Sequence, residues 1–266
     1  MHGFVIVALM QPKLSVNLNK IALIRNSRAG NFPDILHFAR LALENGAHGI
    51  TIHPRPDQRH ARYEDIAALK KLLEEWPKAE LNVEGFPDTR LLDEIFRYQP
   101  HQFTMVPDAS NQLTSDHGWD LNTQSHLVAS VLERLKQAGV RSSLFLDPDP
   151  GQVKLAKELG ADRIELYTGP YAKAFVDGRP TNPDLLFNYI STAQDARHQC
   201  LGVNAGHDLN LKNLEWFVDK VRPDEVSIGH ALTVEALEIG FATVIQRYCQ
   251  ILEKFPLLKI RTAPTI

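Results

Sequence analysis

Eight short apolar runs alternate with amphipathic helical patterns along most of this chain. The apolar runs lie at about 13–18, 49–53, 80–85, 102–107, 141–147, 163–168, 200–205 and 225–229. The helical patterns lie at about 33–45, 63–75, 88–98, 122–138, 150–159, 181–197, 210–220 and 231–254. Short apolar runs bounded by turn residues indicate covered strands of a parallel sheet. Eight strands that alternate with eight helices predict an α/β fold with a single (β/α)8 TIM barrel.

The turns support this prediction. Gly46, Gly139 and Gly160 each follow a predicted helix, at the place where a glycine in the left-handed conformation commonly ends it. The alternative is an open, doubly wound sheet, which usually has fewer strands and a glycine-rich loop after its first strand. Here the first strand is followed by 19–22 (N-K-I-A), which we interpret as a loop without glycine.

Length and composition fit one globular barrel domain. The 266 residues are close to the about 250 that such a barrel takes as one domain. The net charge of −3 gives no reason to expect a nucleic-acid or membrane partner. Cys200 and Cys249 form no CxxC pair, so the reducing cytoplasm is the expected location.

The ends of the chain lie outside the predicted barrel. Residues 1–12 are predicted to be an N-terminal extension, residues 13–254 the catalytic domain and residues 255–266 a tail. The apolar stretch Gly3–Met10 lacks the basic start and the small-residue cleavage site of a signal peptide. It is also far too short to span a bilayer.

Polar residues follow almost every predicted strand. Because the chemistry of such barrels takes place at the carboxyl ends of the strands, we expect these side chains at one rim. Two of them, Asp147 and Glu165, are interpreted as members of structural ion pairs. The amino ends of the strands carry charged residues that we interpret as solvated, namely Lys13, Arg141, Arg163 and Glu225.

Two histidines and a glutamate at this rim indicate proton transfer. The imidazoles of His53 and His207 titrate near neutral pH, and a carboxyl such as Glu84 in a closed apolar site can have its pKa raised toward about 6–7. A divalent-metal site made of these three and Asp108 is an alternative, but no HxH or HExxH spacing supports it and nearby arginines would repel a cation. An aldolase with a lysine imine would have to recruit Lys20.

Two places at the rim suit phosphate groups. The segment Ser227–Ala231 runs from the last strand into a helix, and Gly229 exposes backbone N–H groups at the helix N-terminus. Arg28, Arg55 and His60 are positioned to bind a second phosphate from the opposite side. The sequence therefore predicts an enzyme for small phosphorylated substrates.

Several motifs together resemble one enzyme family. They are V-N-L-N-K-I-A-L-I-R-N-S-R-A-G, G-I-T-I-H-P-R-P-D-Q-R-H, L-N-V-E-G, T-M-V-P-D, I-E-L-Y-T-G-P-Y-A, V-N-A-G-H-D-L and I-G-H-A. Over about 13–254 the chain resembles the pyridoxine 5′-phosphate synthases. The resemblance implies a homo-octameric barrel that needs no metal or organic cofactor. It also implies the condensation of 1-deoxy-D-xylulose 5-phosphate with 3-amino-2-oxopropyl phosphate, which releases phosphate and water.

The resemblance also implies roles for single residues. His53 and Glu84 correspond to the proton acceptors of the family, and His207 corresponds to its proton donor. The expected contacts with the amino-ketone phosphate are Asn17, Arg28, Gly229 and His230. The expected contacts with the deoxyxylulose phosphate are Arg55, His60 and Thr114.

Three residues depart from the common family pattern. Asn19 and Lys20 stand where the family commonly has Asp-His, and Asp208 stands where it has Gly. We count all three among the substrate-binding residues, and we expect Lys20 to contact the sugar phosphate with Asn19 supplying hydrogen bonds. The alternatives are another phospho-sugar epimerase or aldolase and a binding protein without activity, against which the retained His53, Glu84 and His207 argue.

Overall fold

A closed barrel of parallel strands forms the centre of the molecule. The computed structural model describes residues 5–109 and 112–262. The strands are β1 (Val5–Met10), β2 (Lys13–Asn17), β3 (Gly49–Ile52), β4 (Glu80–Gly85), β5 (Gln102–Met105), β6 (Arg141–Leu146), β7 (Arg163–Tyr167), β8 (Phe175–Val176), β9 (Arg179–Pro180), β10 (Gly202–Gly206), β11 (Glu225–Ile228) and β12 (Leu257–Thr262). The barrel order is β2 through β7, then β10 and β11, and β11 pairs with β2. The predicted single (β/α)8 barrel is confirmed, and the open sheet is excluded.

Helices surround this barrel. They are α1 (Asn19–Asn26), α2 (Ile35–Glu44), α3 (Tyr63–Leu72), α4 (Thr89–Tyr98), α5 (Leu121–Ala138), α6 (Pro150–Glu158), α7 (Gly169–Lys173), α8 (Pro183–His198), α9 (Leu214–Val221), α10 (His230–Ile239) and α11 (Phe241–Glu253). The carboxylates of Asp34, Asp88 and Asp120 accept hydrogen bonds from backbone N–H groups and so cap the starts of α2, α4 and α5. No described helix is long and apolar enough to cross a membrane.

Two helix predictions were wrong. The segment after the first strand was interpreted as a loop, but it is the start of α1, where no side chain caps the helix. The single helix predicted over 231–254 is divided into α10 and α11 at Gly240, whose φ of 86° interrupts the helix. The predicted left-handed glycines are confirmed, with φ of 103° at Gly46, 69° at Gly139 and 92° at Gly160.

The strands bury apolar side chains on their outer faces and polar ones inside the barrel. Leu14 and Val16 of β2 are fully buried and belong to the apolar layer under the helices. The alternate residue Ser15 faces inward, where its hydroxyl lies 2.7 Å from that of Thr51 on β3. Successive strand residues point to opposite faces, so the same alternation carries polar residues to the carboxyl end of the barrel.

The amino end of the barrel is closed by charged side chains. Lys13 donates to Glu80 at 2.7 Å, and Arg141 forms a second ion pair with the same carboxylate. Arg163 donates to Asn204 at 2.8 Å, and Glu225 is only 4% exposed. The interpretation as a solvated position was wrong for Glu225, which is buried, whereas Lys13, Arg141 and Arg163 are half-buried. The side chains of these four residues point into the barrel and form its floor.

The two ends of the chain pair with each other. β1 is antiparallel to β12, with Val5 opposite Thr262 and Met10 opposite Leu257. Residues from the predicted extension and from the predicted tail thus share one two-stranded sheet, which is separate from the barrel sheet. Nothing in the sequence indicated this pairing.

Candidate active site

Side chains from four different barrel strands and loops meet at the carboxyl end. Glu84 Oε2 lies 3.9 Å from His53 Nδ1 and 3.5 Å from Asn17 Nδ2. Glu84 Oε1 accepts a hydrogen bond from Ser227 Oγ at 3.5 Å. The strands that carry Asn17, Glu84 and Ser227 are not all neighbours, so these contacts cross the inside of the barrel. Glu84 therefore lies in the barrel mouth and not in the outer helical layer.

Burial changes the acidity of Glu84. Removal of the carboxyl from water raises its pKa from the ordinary 4.5 to about 8, and the negative charge of Asp108 acts in the same direction. The hydrogen bond from Ser227 and the charge of Arg55 oppose this shift without cancelling it. A carboxyl with a pKa near the working pH can both take up and release a proton, which is the property required of an acid–base catalyst.

His53 lies beside this carboxyl as a neutral imidazole. Burial, together with the positive charges of Arg55, His60 and Arg59, lowers the pKa of His53 well below 6.5. Its backbone N–H donates to Asn19 Oδ1 at 2.8 Å, so the first residue of α1 fixes its position. The neutral imidazole has a free nitrogen lone pair that can accept a proton, and its lowered pKa makes it a weaker base than an exposed histidine.

A loop with two arginines forms the adjacent wall. Arg55 is 4% exposed and forms a buried ion pair with Asp108, so it is not an outer surface residue. Arg55 also donates to the carbonyl of Gln112 at 3.0 Å, and Arg59 donates to the same carbonyl at 2.5 Å. His60 faces His53 with ring centroids 6.0 Å apart. The two arginines thus attach the loop after β3 to the segment that follows β5.

His207 lies on the other side of the mouth. Its Nε2 is 2.9 Å from the hydroxyl of Thr114. The ring of Tyr167 packs edge-on against the His207 ring, with the ring centroids 5.2 Å apart. Asp208 Oδ2 is 3.2 Å from His207 Nδ1. The structure therefore brings together His207, Thr114 and Asp208, which the sequence analysis selected separately.

The junction of β11 and α10 is tightly packed against β2. A Cβ atom added at Gly229 would lie 2.9 Å from Asn17 Cβ and 3.0 Å from its Oδ1, so a glycine is required there. His230 begins α10 directly after it. The first turn of α10 presents its backbone N–H groups beside Asn17, which is the geometry of an anion site.

Comparison with known proteins assigns the chain to a family. A family model described as "Pyridoxal phosphate biosynthesis protein PdxJ" matches residues 14–254. The chain belongs to the PdxJ family. A Rhizobium meliloti (strain 1021) protein named pyridoxine 5′-phosphate synthase is 48% identical over 244 residues, which are 90% of this chain and 97% of that protein. A Bacteroides thetaiotaomicron protein of the same name is 44% identical over 238 residues, 89% and 97% of the two chains.

Solved structures of other enzymes share the fold of this PdxJ family member. Phosphoribosyl anthranilate isomerase from Thermotoga maritima matches with a TM-score of 0.57 at 14% identity, and the match covers 91% of this chain and 99% of that chain. An identity this low shows the fold alone.

Glu165 lies inside the barrel, and its interpretation as a member of a structural ion pair was wrong. Its carboxyl is buried inside the barrel, 3.5 Å from Thr104 Oγ1, with no basic side chain within ion-pair distance among the described residues. Burial raises its pKa well above 4.5, and the charge of Glu84 acts in the same direction. Asp147 likewise forms no ion pair with another described residue, and its Oδ2 accepts a hydrogen bond from the backbone N–H of Gly118 at 3.1 Å. The alternation in β7 was the signal that places Glu165 inside.

Two further residues predicted to bind substrate lie on or just after α1. Lys20 is half-buried in the first turn of α1, and Arg28 is exposed just after that helix. Within residues 5–109 and 112–262, no group of three or more His, Cys, Asp or Glu side chains is arranged to hold a metal ion.

Proposed function

We propose that this chain is a pyridoxine 5′-phosphate synthase, a transferase-type enzyme of vitamin B6 biosynthesis. It condenses 1-deoxy-D-xylulose 5-phosphate with 3-amino-2-oxopropyl phosphate to pyridoxine 5′-phosphate, with release of phosphate and water. The family membership and the names of its relatives support this activity. At the site, the observation that carries it is the pair of Glu84 and neutral His53, 3.9 Å apart in the barrel mouth.

The proposed chemistry needs repeated proton transfers and no enzyme-bound imine. The amine of one substrate attacks the ketone of the other, so the imine forms between the substrates and no lysine is consumed. His53 and Glu84 then accept protons, and His207 donates one to a departing oxygen. Such general acid–base steps each contribute about 10²–10⁴-fold to the rate.

Two dianionic phosphates would hold the reactants in place. Asn17, Arg28 and the backbone at Gly229–His230 are proposed to bind the phosphate of the amino ketone. The residues proposed for the sugar phosphate are Arg55, His60 and Thr114. Binding at both ends turns the condensation into a reaction between positioned groups, which lowers its entropic barrier.

Incubation of the protein with both phosphates tests the proposed function. We expect absorbance of pyridoxine phosphate to appear only when both substrates are present, and we expect the rate to survive exhaustive EDTA treatment. The expectation about EDTA rests on the arrangement of acid–base side chains, which supplies the proton transfers without a Lewis acid. No product, or activity that one specific divalent ion restores after EDTA, would favour the epimerase or aldolase alternative.

Lys20 provides a test of sugar-phosphate binding. Its charge contributes, after burial and the charges of Arg55 and Arg59, to lowering the pKa of His60 to about 4, so it lies near the proposed phosphate place. Lys20→Met should raise the KM for deoxyxylulose phosphate by roughly 10- to 100-fold, since a charged hydrogen bond contributes about 1.5–3 kcal/mol. The KM for the amino ketone should change much less.

Lys154→Met is the matched control for Lys20→Met. Lys154 is an exposed lysine on α6 that pairs with Glu158, and its loss should leave both KM values unchanged. Equal increases in the two KM values of Lys20→Met, or no increase in either, would show that the contact is wrongly assigned.

We further propose that the protein works as a homo-octamer in the cytoplasm. The support for the octamer is the family resemblance, and the support for the location is the biosynthetic activity with the cysteine usage. Light scattering should then give about 240 kDa, which is eight times the 30.0 kDa of one chain.

A further inference from the structure

Two consecutive residues at the mouth adopt a backbone conformation that side chains disfavour. His207 has a φ of 89° and Asp208 a φ of 59°, both in the region where glycine is usual. Such strain persists only where the surroundings fix the backbone, and it is concentrated at functional sites.

Buried polar groups fix this turn. Thr168 is fully buried and donates its hydroxyl to the carbonyls of both Gly206 and His207. Asn213, 1% exposed, donates to the carbonyl of Asp208 at 3.2 Å. The backbone is thus held from two sides, and a glycine at position 208 would fit it without strain. The side chain of Asp208 must therefore be explained by what it contacts.

The carboxylate of Asp208 contacts the ring of His207. Oδ2 lies 3.2 Å from Nδ1, which is within ion-pair distance but outside hydrogen-bond geometry, and this buried nitrogen has no hydrogen-bond partner among the described residues. The opposite nitrogen, Nε2, lies 2.9 Å from Thr114 at the mouth. The interaction with His207 holds the pKa of the Asp208 carboxyl below 3.8, so Asp208 is ionised at neutral pH.

We propose that Asp208 is a positioning residue for His207. Its carboxylate orients the ring through Nδ1 and stabilises the protonated imidazole, so that the Nε2–H group faces the barrel mouth. The role of His207 as proton donor rests on the proposed function, whereas the contact between the two side chains does not.

Other charged groups surround this pair but do not replace Asp208. Lys173 from α7 and His230 from α10 face the Asp208 carboxylate and help to keep it ionised. Tyr167 from β7 lies against the His207 ring. The negative charges of Asp116 and Asp147 help to raise the pKa of this tyrosine. Asp208 is the carboxylate within ion-pair distance of His207 among the described residues.

A titration of His207 tests the contact directly. In protein labelled with ¹³C-histidine, the ring signal of His207, assigned by its loss in His207→Asn, would be followed against pH. Asp208→Asn should move the midpoint of that titration to lower pH, because the variant lacks the adjacent negative charge that favours the protonated ring. An unchanged midpoint would overturn the proposal, whether or not the protein makes pyridoxine phosphate.

The kinetic test separates positioning from folding. Asp208→Asn should lower kcat about 10-fold at pH 8 with little change in either KM, and the alkaline limb of the kcat profile should move to lower pH. Asp208→Gly should show the same kinetic loss with an unchanged or higher Tm, since glycine relieves the strain. A Tm of Asp208→Gly that falls in proportion to its loss of kcat would indicate a structural role for Asp208 and overturn the proposal.

Asp116→Asn is the matched control. Asp116 is another aspartate at the mouth, and its carboxylate contacts His117 and Gln112 rather than His207. Asp116→Asn should keep the wild-type midpoint of the His207 titration and the wild-type pH profile of kcat. A shift of the midpoint equal to that in Asp208→Asn would mean that any nearby negative charge has the same effect on His207. A moved midpoint in Asp208→Asn without any kinetic change would show that His207 is not the proton donor, which would overturn the proposed role.

Discussion

Replacing Glu84 by glutamine should lower kcat by at least about 100-fold in the assay with both phosphates. The amide keeps the shape of the side chain and can still contact Ser227 and Asn17, but it cannot accept a proton. The KM values should change little because neither proposed phosphate place includes this residue. Near-normal turnover would refute its role as a proton acceptor.

Glu225→Gln is the matched control for this variant. Glu225 is also buried inside the barrel and its pKa is also raised by burial, but it lies at the floor beside Asn204. Its replacement should leave kcat within a few-fold of the wild type. A comparable loss of kcat in both variants would show that the effect comes from a change in buried charge and not from proton transfer at the barrel mouth.

The pH dependence of the wild type should follow Glu84. Because its pKa is about 8 in the folded protein, the ionised acceptor increases as the pH rises through 8, and kcat/KM should rise with it. Burial favours the protonated carboxyl, so its contribution to stability is present below the ordinary pKa of 4.5 and is lost as the pH rises toward 8. Glu84→Gln should therefore raise the Tm at pH 9 and change it less at pH 5.

A large loss of folding stability is expected in Arg55→Met. This change leaves the buried Asp108 carboxylate without its basic partner, with Ser115 Oγ at 2.7 Å as the remaining hydrogen bond of its Oδ2 among the described residues. The loss of one member of a buried ion pair costs about 3–5 kcal/mol in the free energy of unfolding. Chemical denaturation of the purified variant would measure it.

Two controls define what this loss means. In Arg55→Met/Asp108→Asn, both charges are removed, and most of the stability should return. Arg40 forms a two-bond ion pair with Glu75 at the surface, where both side chains are more than 40% exposed, so Arg40→Met should cost less than about 1 kcal/mol. Equal losses in the free energy of unfolding of Arg55→Met and Arg40→Met would contradict the structural role of the buried Arg55–Asp108 pair.

The strands were predictable because each is a short apolar run, but their exact limits were not. The predicted strand over 200–205 began at Cys200, but the φ of 57° at Cys200 belongs to the turn after α8, and β10 begins at Gly202. At the barrel floor, charged residues such as Arg141 and Glu225 looked solvated in sequence. Composition alone cannot distinguish a strand end that faces water from one that faces the inside of a barrel.

The candidate site was partly predictable for a similar reason. The rule that chemistry lies at the carboxyl ends of barrel strands selected Glu84 and His207 without a structure. It could not show that Glu84 meets Ser227, 143 positions away, since such contacts depend on barrel closure. Nor could it show that the Asp208 carboxylate turns toward His207, because this follows from two positive φ angles in a row.

The pairing of β1 with β12 has a consequence for the order of folding. Met10 and Leu257 are partners although they are 247 positions apart, the difference between 257 and 10. During synthesis on a ribosome, β1 emerges first and has to wait for nearly the whole chain before its partner strand exists. Such a contact closes a very long loop and forms late, so a chain stalled before β12 would present an unpaired apolar strand to other molecules.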